Sequence, residues 1–181
     1  AMAHRGPDSS GVACTPLVGL AATRLAILDL SDAGDQPLVD EEHALVFNGE
    51  LYEHPALRAE VRGAGVELRG GSDTEVLFHL LRLQGIDAVL PRLRGMFVFA
   101  WVELGRGRVH LVRDRLGIKP LHWTVRDGTV AWASEVKALR AATPLVVDPA
   151  RAIFSVLSLA DRWSERTIFD DVHQVAPGHH V

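Results

Sequence analysis

The stretch Arg94-Gly95-Met96-Phe97-Val98-Phe99-Ala100-Trp101-Val102-Glu103-Leu104-Gly105-Arg106-Gly107-Arg108-Val109-His110-Leu111-Val112 decides the fold class. Phe97 to Glu103 and Val109 to Val112 are apolar runs flanking Gly105-Arg106-Gly107, which reads as two antiparallel strands and a hairpin turn. Beyond it, Leu121 to Val125 and Val130 to Ala133 flank Arg126-Asp127-Gly128-Thr129 in the same way. Toward the N-terminus, Val12 to Cys14 and Val18 to Leu25 are strands about a Thr15-Pro16 turn, and Ala44 to Phe47 is a short strand ending at Asn48-Gly49. Helical spacing covers Pro55 to Arg62, with Leu57 and Val61 four apart and Gly63 and Gly65 closing it. The strongest helix opens at Ser72-Asp73-Thr74-Glu75, buries Val76, Leu77, Leu80, Leu81 and Leu83, and stops at Gly85. Shorter helices are predicted over Asp87 to Leu93, Ser134 to Ala141, and Pro149 to Leu157 behind an Asp148 N-cap. Val175-Ala176-Pro177-Gly178 is a turn. Strands packed on strands with helices outside predict an α+β layered sandwich.

A length of 181 residues fits one domain with a substantial core, and 48% hydrophobic against 23% charged residues excludes a disordered chain. The net charge of −4 offers no basic footprint for nucleic acid. Cys14 is the single cysteine, so no intramolecular disulfide can form, and a reducing compartment, the cytoplasm, is expected. No apolar run reaches the length of a membrane span, and the start has no signal-peptide layout. No P-loop or metal-ligand spacing is present, and the terminal pair His179-His180 lacks partners for a metal.

Six strings stand out, and each has a plain reading. His4-Arg5-Gly6-Pro7-Asp8 is by itself a charged turn. Arg24 sits in an apolar run from Leu20 to Leu30, so its planar fork either faces solvent or grips a carboxylate. Asn48-Gly49-Glu50 is a hairpin turn in isolation, but an Asn amide beside a Gly N–H can also form an oxyanion hole. Ser72-x-x-Glu75 is a capping box that would leave the Asp73 carboxylate free and ionised at a helix N-terminus, suited to an ammonium group. Arg113 to Pro120 reads as a solvated loop with internal ion pairs, and Ser134 as the N-cap of a helix with Val136 and Leu139 inward.

In order and at similar intervals, HRGPD, TRLAILD, QPL, NGELY, SDTEV, LRGMFVFAW, RDRLGIKPL, ASEVKAL and APGH resemble the glutaminase domain of glutamine-dependent asparagine synthetase, along essentially the whole chain, 1–181. The resemblance implies the class II glutamine amidotransferase domain, a four-layer αββα sandwich of the N-terminal-nucleophile hydrolase type. It implies a terminal Cys attacking the side-chain amide of glutamine, with the chain's own α-amine as base. By the same match, Asn48 and Gly49 would stabilise the oxyanion, Arg24 would hold the substrate α-carboxylate, and Asp73 and Glu50 its α-amino end. Ammonia would pass to a synthetase domain of the same polypeptide that uses ATP and Mg²⁺ to amidate aspartate. No cofactor is implied for the glutaminase domain itself. Its partners would be glutamine and that synthetase domain, with neither nucleic acid nor membrane; a homodimer is compatible with the pattern, which does not define the oligomeric state.

Two features depart from the family. Its nucleophile would lie a few dozen residues before His4, so the chain as given is expected to lack both the Cys and a core strand, and to be inactive and poorly stable alone. Cys14 is internal and reads as a small packing residue. Glu53 stands where the family often has Asn. Three readings follow: a piece of a working asparagine synthetase, an amidotransferase-like domain without glutaminase activity in a β-lactam-forming or peptide-cyclising synthetase, or a non-catalytic binding module. Retention of Arg24, Asn48, Gly49 and Asp73 together favours the first.

Overall fold

The computed structural model describes residues 2–27, 29–157 and 165–181. Strands β1 (Ser9–Cys14) and β2 (Gly19–Arg24) form a hairpin around Thr15, whose hydroxyl and N–H both engage Val18. Strands β3 (Leu38–Val39), β4 (His43–Leu51), β5 (Gly95–Glu103) and β6 (Arg108–Arg113) make a four-stranded antiparallel sheet in chain order. Strands β7 (His122–Arg126), β8 (Thr129–Ala133) and β9 (His173–Gln174) make a third sheet with β7 central.

Alternation along β5 explains why its sequence is apolar throughout: both faces are covered. Phe97, Phe99 and Trp101 join Leu45, Phe47 and Leu51 against α1 (His54–Gly63), α2 (Asp73–Gln84) and α3 (Ile86–Val89). On the opposite face Val98 and Ala100 meet Leu111, Leu121 and Val175, flanked by Trp123 and Trp132. A third cluster of Leu20, Ala44 and Val102 fastens β2 to the same face. The chain is therefore a helical layer, a four-stranded sheet, and a second β layer made of two separate pieces.

Several expectations change. The Ala44–Phe47 strand does not stop at Asn48; β4 runs to Leu51, with Asn48 opposite Val98 and Gly49 opposite Phe97, so Asn-Gly lies within a strand instead of at a turn. The run around Arg24 ends as a strand at that residue, and Leu28 lies outside the described residues. Leu83 faces outward at 48% exposure. The expected third helix is split into α3 and a 3₁₀ turn, Leu90–Arg92, because Pro91 brings no N–H to continue it.

Capping also differs. Ser72 Oγ accepts from Thr74 N as expected, but the buried Glu75 carboxylate accepts from Arg69 N (2.8 Å) and Gly70 N (3.0 Å) instead of closing a capping box. Residues Val136–Ala141 form a 3₁₀ helix whose start receives no side-chain cap; Leu139 is buried and Val136 only partly so. The N-cap position falls on Glu135 and not, as expected, on Ser134, because the helix starts only at Val136. Asp148 does cap α4 (Pro149–Leu157), accepting from Ala150 N (2.9 Å) and Arg151 N (3.2 Å), yet no residue of α4 is buried.

The Arg113 to Pro120 segment is not a solvated loop. Arg113 and Asp114 are buried and organise it from within. The guanidinium donates to the carbonyls of Gly117, Lys119 and Val175, and the carboxylate accepts from the N–H groups of Leu116, Ile118 and Lys119. The chain end is stitched on here, Gly178 N donating to Asp114 O and Val181 exchanging backbone bonds with Leu111. Cys14 is not the packing residue expected; it is exposed on β1, the outward side of its hairpin. Among the described residues no helix is long and apolar enough to cross a membrane.

Candidate functional site

Strand β2 pairs along its length only with β1, and β8 only with β7, so among the described residues each leaves one edge without a partner strand. Both edges line one cavity of about 550 Å³ whose walls include Gly19–Thr23 and Thr129–Ala133 and whose floor is Val46, Val98 and Ala100 of the central sheet. Asn48 and Ser134 supply side-chain polar groups at this cavity, and Arg5 also borders it. The shape is that of a slot between two strand edges.

Asn48 is placed by β4, half-buried, and its Nδ2 donates to Ser134 Oγ at 3.4 Å across the gap between the sheets. Gly49 follows with φ +154°, a conformation that side chains rarely adopt, and a Cβ there would overlap the Met96 carbonyl. Glycine at 49 is therefore demanded by the close approach of β4 to β5 at the point where the backbone passes the site. Asn48 thus brings a side-chain amide donor to the cavity wall, with the Gly49 N–H next to it in sequence.

Asp73 opens α2 and is 6% exposed. It is not free, contrary to the expectation from a capping box: Oδ2 accepts from Leu51 N at 3.0 Å, tying α2 to the end of β4. Burial pushes its carboxyl up from the ordinary value, with the Leu51 hydrogen bond and the nearby His54 pulling the other way. The ionised state expected from the helix terminus alone is thus opposed by desolvation. Glu50 is half-buried between these two attachments, one residue from Gly49 and one from Leu51.

Arg24 is turned onto its own loop. Nη1 donates to Asp35 Oδ1 (3.0 Å) and Ser31 O (2.9 Å), and Nη2 to the Asp29 carbonyl. Its side chain is only 12% exposed, and a Cβ at Gly34 would overlap the guanidinium, so a glycine makes the room. The Asp29 carboxylate accepts from Ser31 Oγ (2.7 Å), Ser31 N and Gly71 N, and these bonds hold its pKa down at about 2. A chain of contacts therefore runs from Arg24 through Asp29 and Gly71 to the start of α2, then through Asp73 and Leu51 to Glu50, Gly49 and Asn48. This chain of contacts links the three expected site segments, and of their residues Asn48 is the one that lines the cavity.

Two further strings converge on the opposite side. Glu135 accepts from His4 Nε2 (2.9 Å), Arg5 Nη1 (3.0 Å) and Lys137 Nζ (2.9 Å), which joins HRGPD to ASEVKAL. Lys137, then His4, then Arg5 hold the Glu135 carboxyl at about 2. The QPL string is engaged too: Gln36 Oε1 accepts from Phe47 N (2.7 Å) and Nε2 reaches Thr74 Oγ1 (3.4 Å), bridging β4 and α2. Asp29, Gln36 and Glu135 carry no role in the sequence reading, and Ser134 only that of an N-cap, although all four lie in the quoted strings. Glu53 stands at the N-cap of α1 without a capping bond, a service Asn could perform.

The solved structures bear on the fold. Glutamine phosphoribosylpyrophosphate amidotransferase from B. subtilis, complexed with ADP and GMP, superposes with a TM-score of 0.57 over 67% of this chain and 28% of that one, at 24% identity. The chain belongs to the glutamine amidotransferase domain family, which matches residues 1–181. Asparagine synthetase [glutamine-hydrolyzing] 1 of Bacillus subtilis is 36% identical over 97% of the chain, and asparagine synthetase B of Escherichia coli 43% over 76%. Amidase chyE of Penicillium rubens is 35% identical over 98%. The chain spans 26%, 28% and 25% of the amidase and the two synthetases, about a quarter of each.

Proposed function

We propose that the chain is the glutaminase half of an ATP-dependent asparagine synthetase, hydrolysing glutamine to glutamate and supplying ammonia for amidation of aspartate. The observation that carries this reading is the slot between β2 and β8 with Asn48 at its wall. An extended segment carrying a terminal cysteine, seated between those two strand edges, would complete the second β layer there. That strand, with helices over its outer face, would give the four-layer αββα sandwich.

In this scheme the cysteine Sγ attacks the side-chain amide carbon of glutamine after giving its proton to the chain's α-amine. Asn48 Nδ2 and Gly49 N–H stabilise the negative oxygen of the tetrahedral intermediate. The C–N bond breaks, the α-amine returns the proton, and ammonia leaves. Water then cleaves the thioester and releases glutamate. Arg24 receives the α-carboxylate of glutamine by exchanging it for Asp35, while Asp73 and Glu50 receive the ammonium end. ATP and Mg²⁺ belong to a synthetase domain of the same polypeptide, and the setting is the reducing cytoplasm.

The test is ammonia release from glutamine by the full gene product and by residues 1–181 alone. The full product is expected to turn over and lose that activity when its terminal cysteine is replaced by Ala, while the 181-residue chain releases none. Turnover by the short chain that Cys14→Ala abolishes would overturn the assignment. In the full product Asp73→Ala is expected to raise KM for glutamine and spare synthesis from free ammonia; equal loss with both nitrogen sources refutes its role.

One finding favours a second reading of the acceptor. The amidases of Penicillium rubens and Gibberella zeae match 98% and 99% of the chain at 35% identity, as fully as the Bacillus subtilis synthetase does at 97% and 36%. In this reading the same ammonia amidates a different carboxylic acid. Absence of aspartate-dependent ATP cleavage, with glutaminase intact, would select it.

A further inference from the structure

Among the described residues, the second β layer reaches the proposed oxyanion strand through a side-chain hydrogen bond from Asn48 Nδ2 to Ser134 Oγ. Resting on the reading of Asn48 as the oxyanion donor, we propose that Ser134 is the positioning residue that sets its carboxamide. A carboxamide turns about a broad, two-fold torsion, and only its nitrogen end can donate. Turned the other way, Asn48 would aim its own oxygen at a developing negative charge. Ser134 Oγ takes one of the two Nδ2 hydrogens and leaves the second for the substrate oxygen.

Two observations give Ser134 this task. The helix Val136–Ala141 has Glu135 at its N-cap, so Ser134 stands one residue ahead of the cap position, and its hydroxyl meets Asn48. Its backbone is also held from both sides. Strand β8 ends at Ala133, and Glu135 is fixed by Lys137, His4 and Arg5. At 3.4 Å the bond is long, as catalytic hydrogen bonds often are before substrate binds, and it can shorten as Asn48 takes up charge.

The experiment uses the full gene product with Ser134→Ala, Ser134→Thr and Asn48→Ala, read by kcat and KM for glutamine hydrolysis, by melting temperature, and by affinity for the aldehyde analogue of glutamine. In that analogue the cysteine thiol adds to the aldehyde carbon and its oxygen takes the oxyanion position. Asn48→Ala is expected to lower kcat by about 10²–10³-fold. Ser134→Ala is expected to lower kcat about 10-fold and weaken the aldehyde by a similar factor, with KM and melting temperature little changed. Ser134→Thr, which keeps the hydroxyl, restores most of kcat, and Ser134→Ala adds nothing in the Asn48→Ala background. Unchanged kcat in Ser134→Ala beside a crippled Asn48→Ala overturns the positioning role alone. A fully active Asn48→Ala overturns the oxyanion assignment and this inference with it.

Discussion

The two faces of the four-stranded sheet are finished differently. On one, α1 to α3 close over Phe97, Phe99 and Trp101, and Val61, Val76 and Leu77 have no exposure at all. On the other, β2 and β8 stand apart across a 550 Å³ slot; α4, which buries none of its residues, leaves Val156 and Leu157 at 87% and 80% exposure. The closed face holds the fold, while Asn48 and Ser134 stand at the edge of the open one. Site residues here are held by discrete polar bonds more than by packing, which is why their positions depend on so few partners.

The largest expected effect tests that contrast directly. Leu77→Ala empties a fully buried site and should cost about 2–5 kcal/mol in urea unfolding. Leu157→Ala on α4 should stay within about 0.5 kcal/mol. Equal costs would mean that the helical layer over the sheet holds no more of the fold than α4 does.

Next come two glycines of β4 and α1. Gly49→Ala meets the Met96 carbonyl in a backbone conformation with φ +154°, and should destabilise by about 1–3 kcal/mol. Gly63→Ala, at the end of α1 with open space around it, should instead stabilise by about 0.4–1 kcal/mol. Two changes of the same sign would place the demand for glycine elsewhere than in the β4–β5 approach.

Asp73 separates charge from packing. Its folded carboxyl is raised above its ordinary value, so the stability linked to its proton is present at acid pH and lost as pH rises through the folded pKa. Asp73→Asn keeps an acceptor for Leu51 N and removes that loss, about 1.4 kcal/mol for each tenfold weakening of the acid on folding. Melting curves should show the variant gaining on the parent from pH 4 to 8; a gain confined to acid pH reverses the sign and sinks the account.

The smallest effect is at Glu135. Its carboxyl is depressed to about 2, so its contribution is present above the ordinary carboxylate value and lost as pH falls toward 2. Glu135→Gln should flatten the melting temperature's pH dependence between about pH 4.5 and 2, and only slightly, because the ion pairs are solvent-screened. A large loss at neutral pH would show the cluster carrying more than electrostatics.

Much of the closed face was legible in sequence. The apolar run of β5 and the spacing of α2 follow from local rules, as does, in the other β layer, the Asp127-Gly128 turn with both residues at positive φ. The open face was less so, because its elements are set by distant partners. Asn48-Gly49 has the composition of a hairpin turn and only pairing with Val98 and Phe97 keeps it extended. Ser134 has the features of an N-cap until Asn48 is placed beside it. Arg113 and Asp114 look solvated until carbonyls as far away as Val175 take their hydrogen bonds. The order of the strings carried the family, but none of the bonds among them could be read from order alone.

The Glu135 clamp has a consequence for how the molecule assembles. It joins residues 130 and 131 positions apart, at the start of the chain and beyond its last hairpin. Closing so long a loop is entropically uphill until most of the intervening chain is already ordered. The region next to Asn48 is therefore completed after the sheets it spans, and the latest contact to form stands beside the group proposed to steady the transition state.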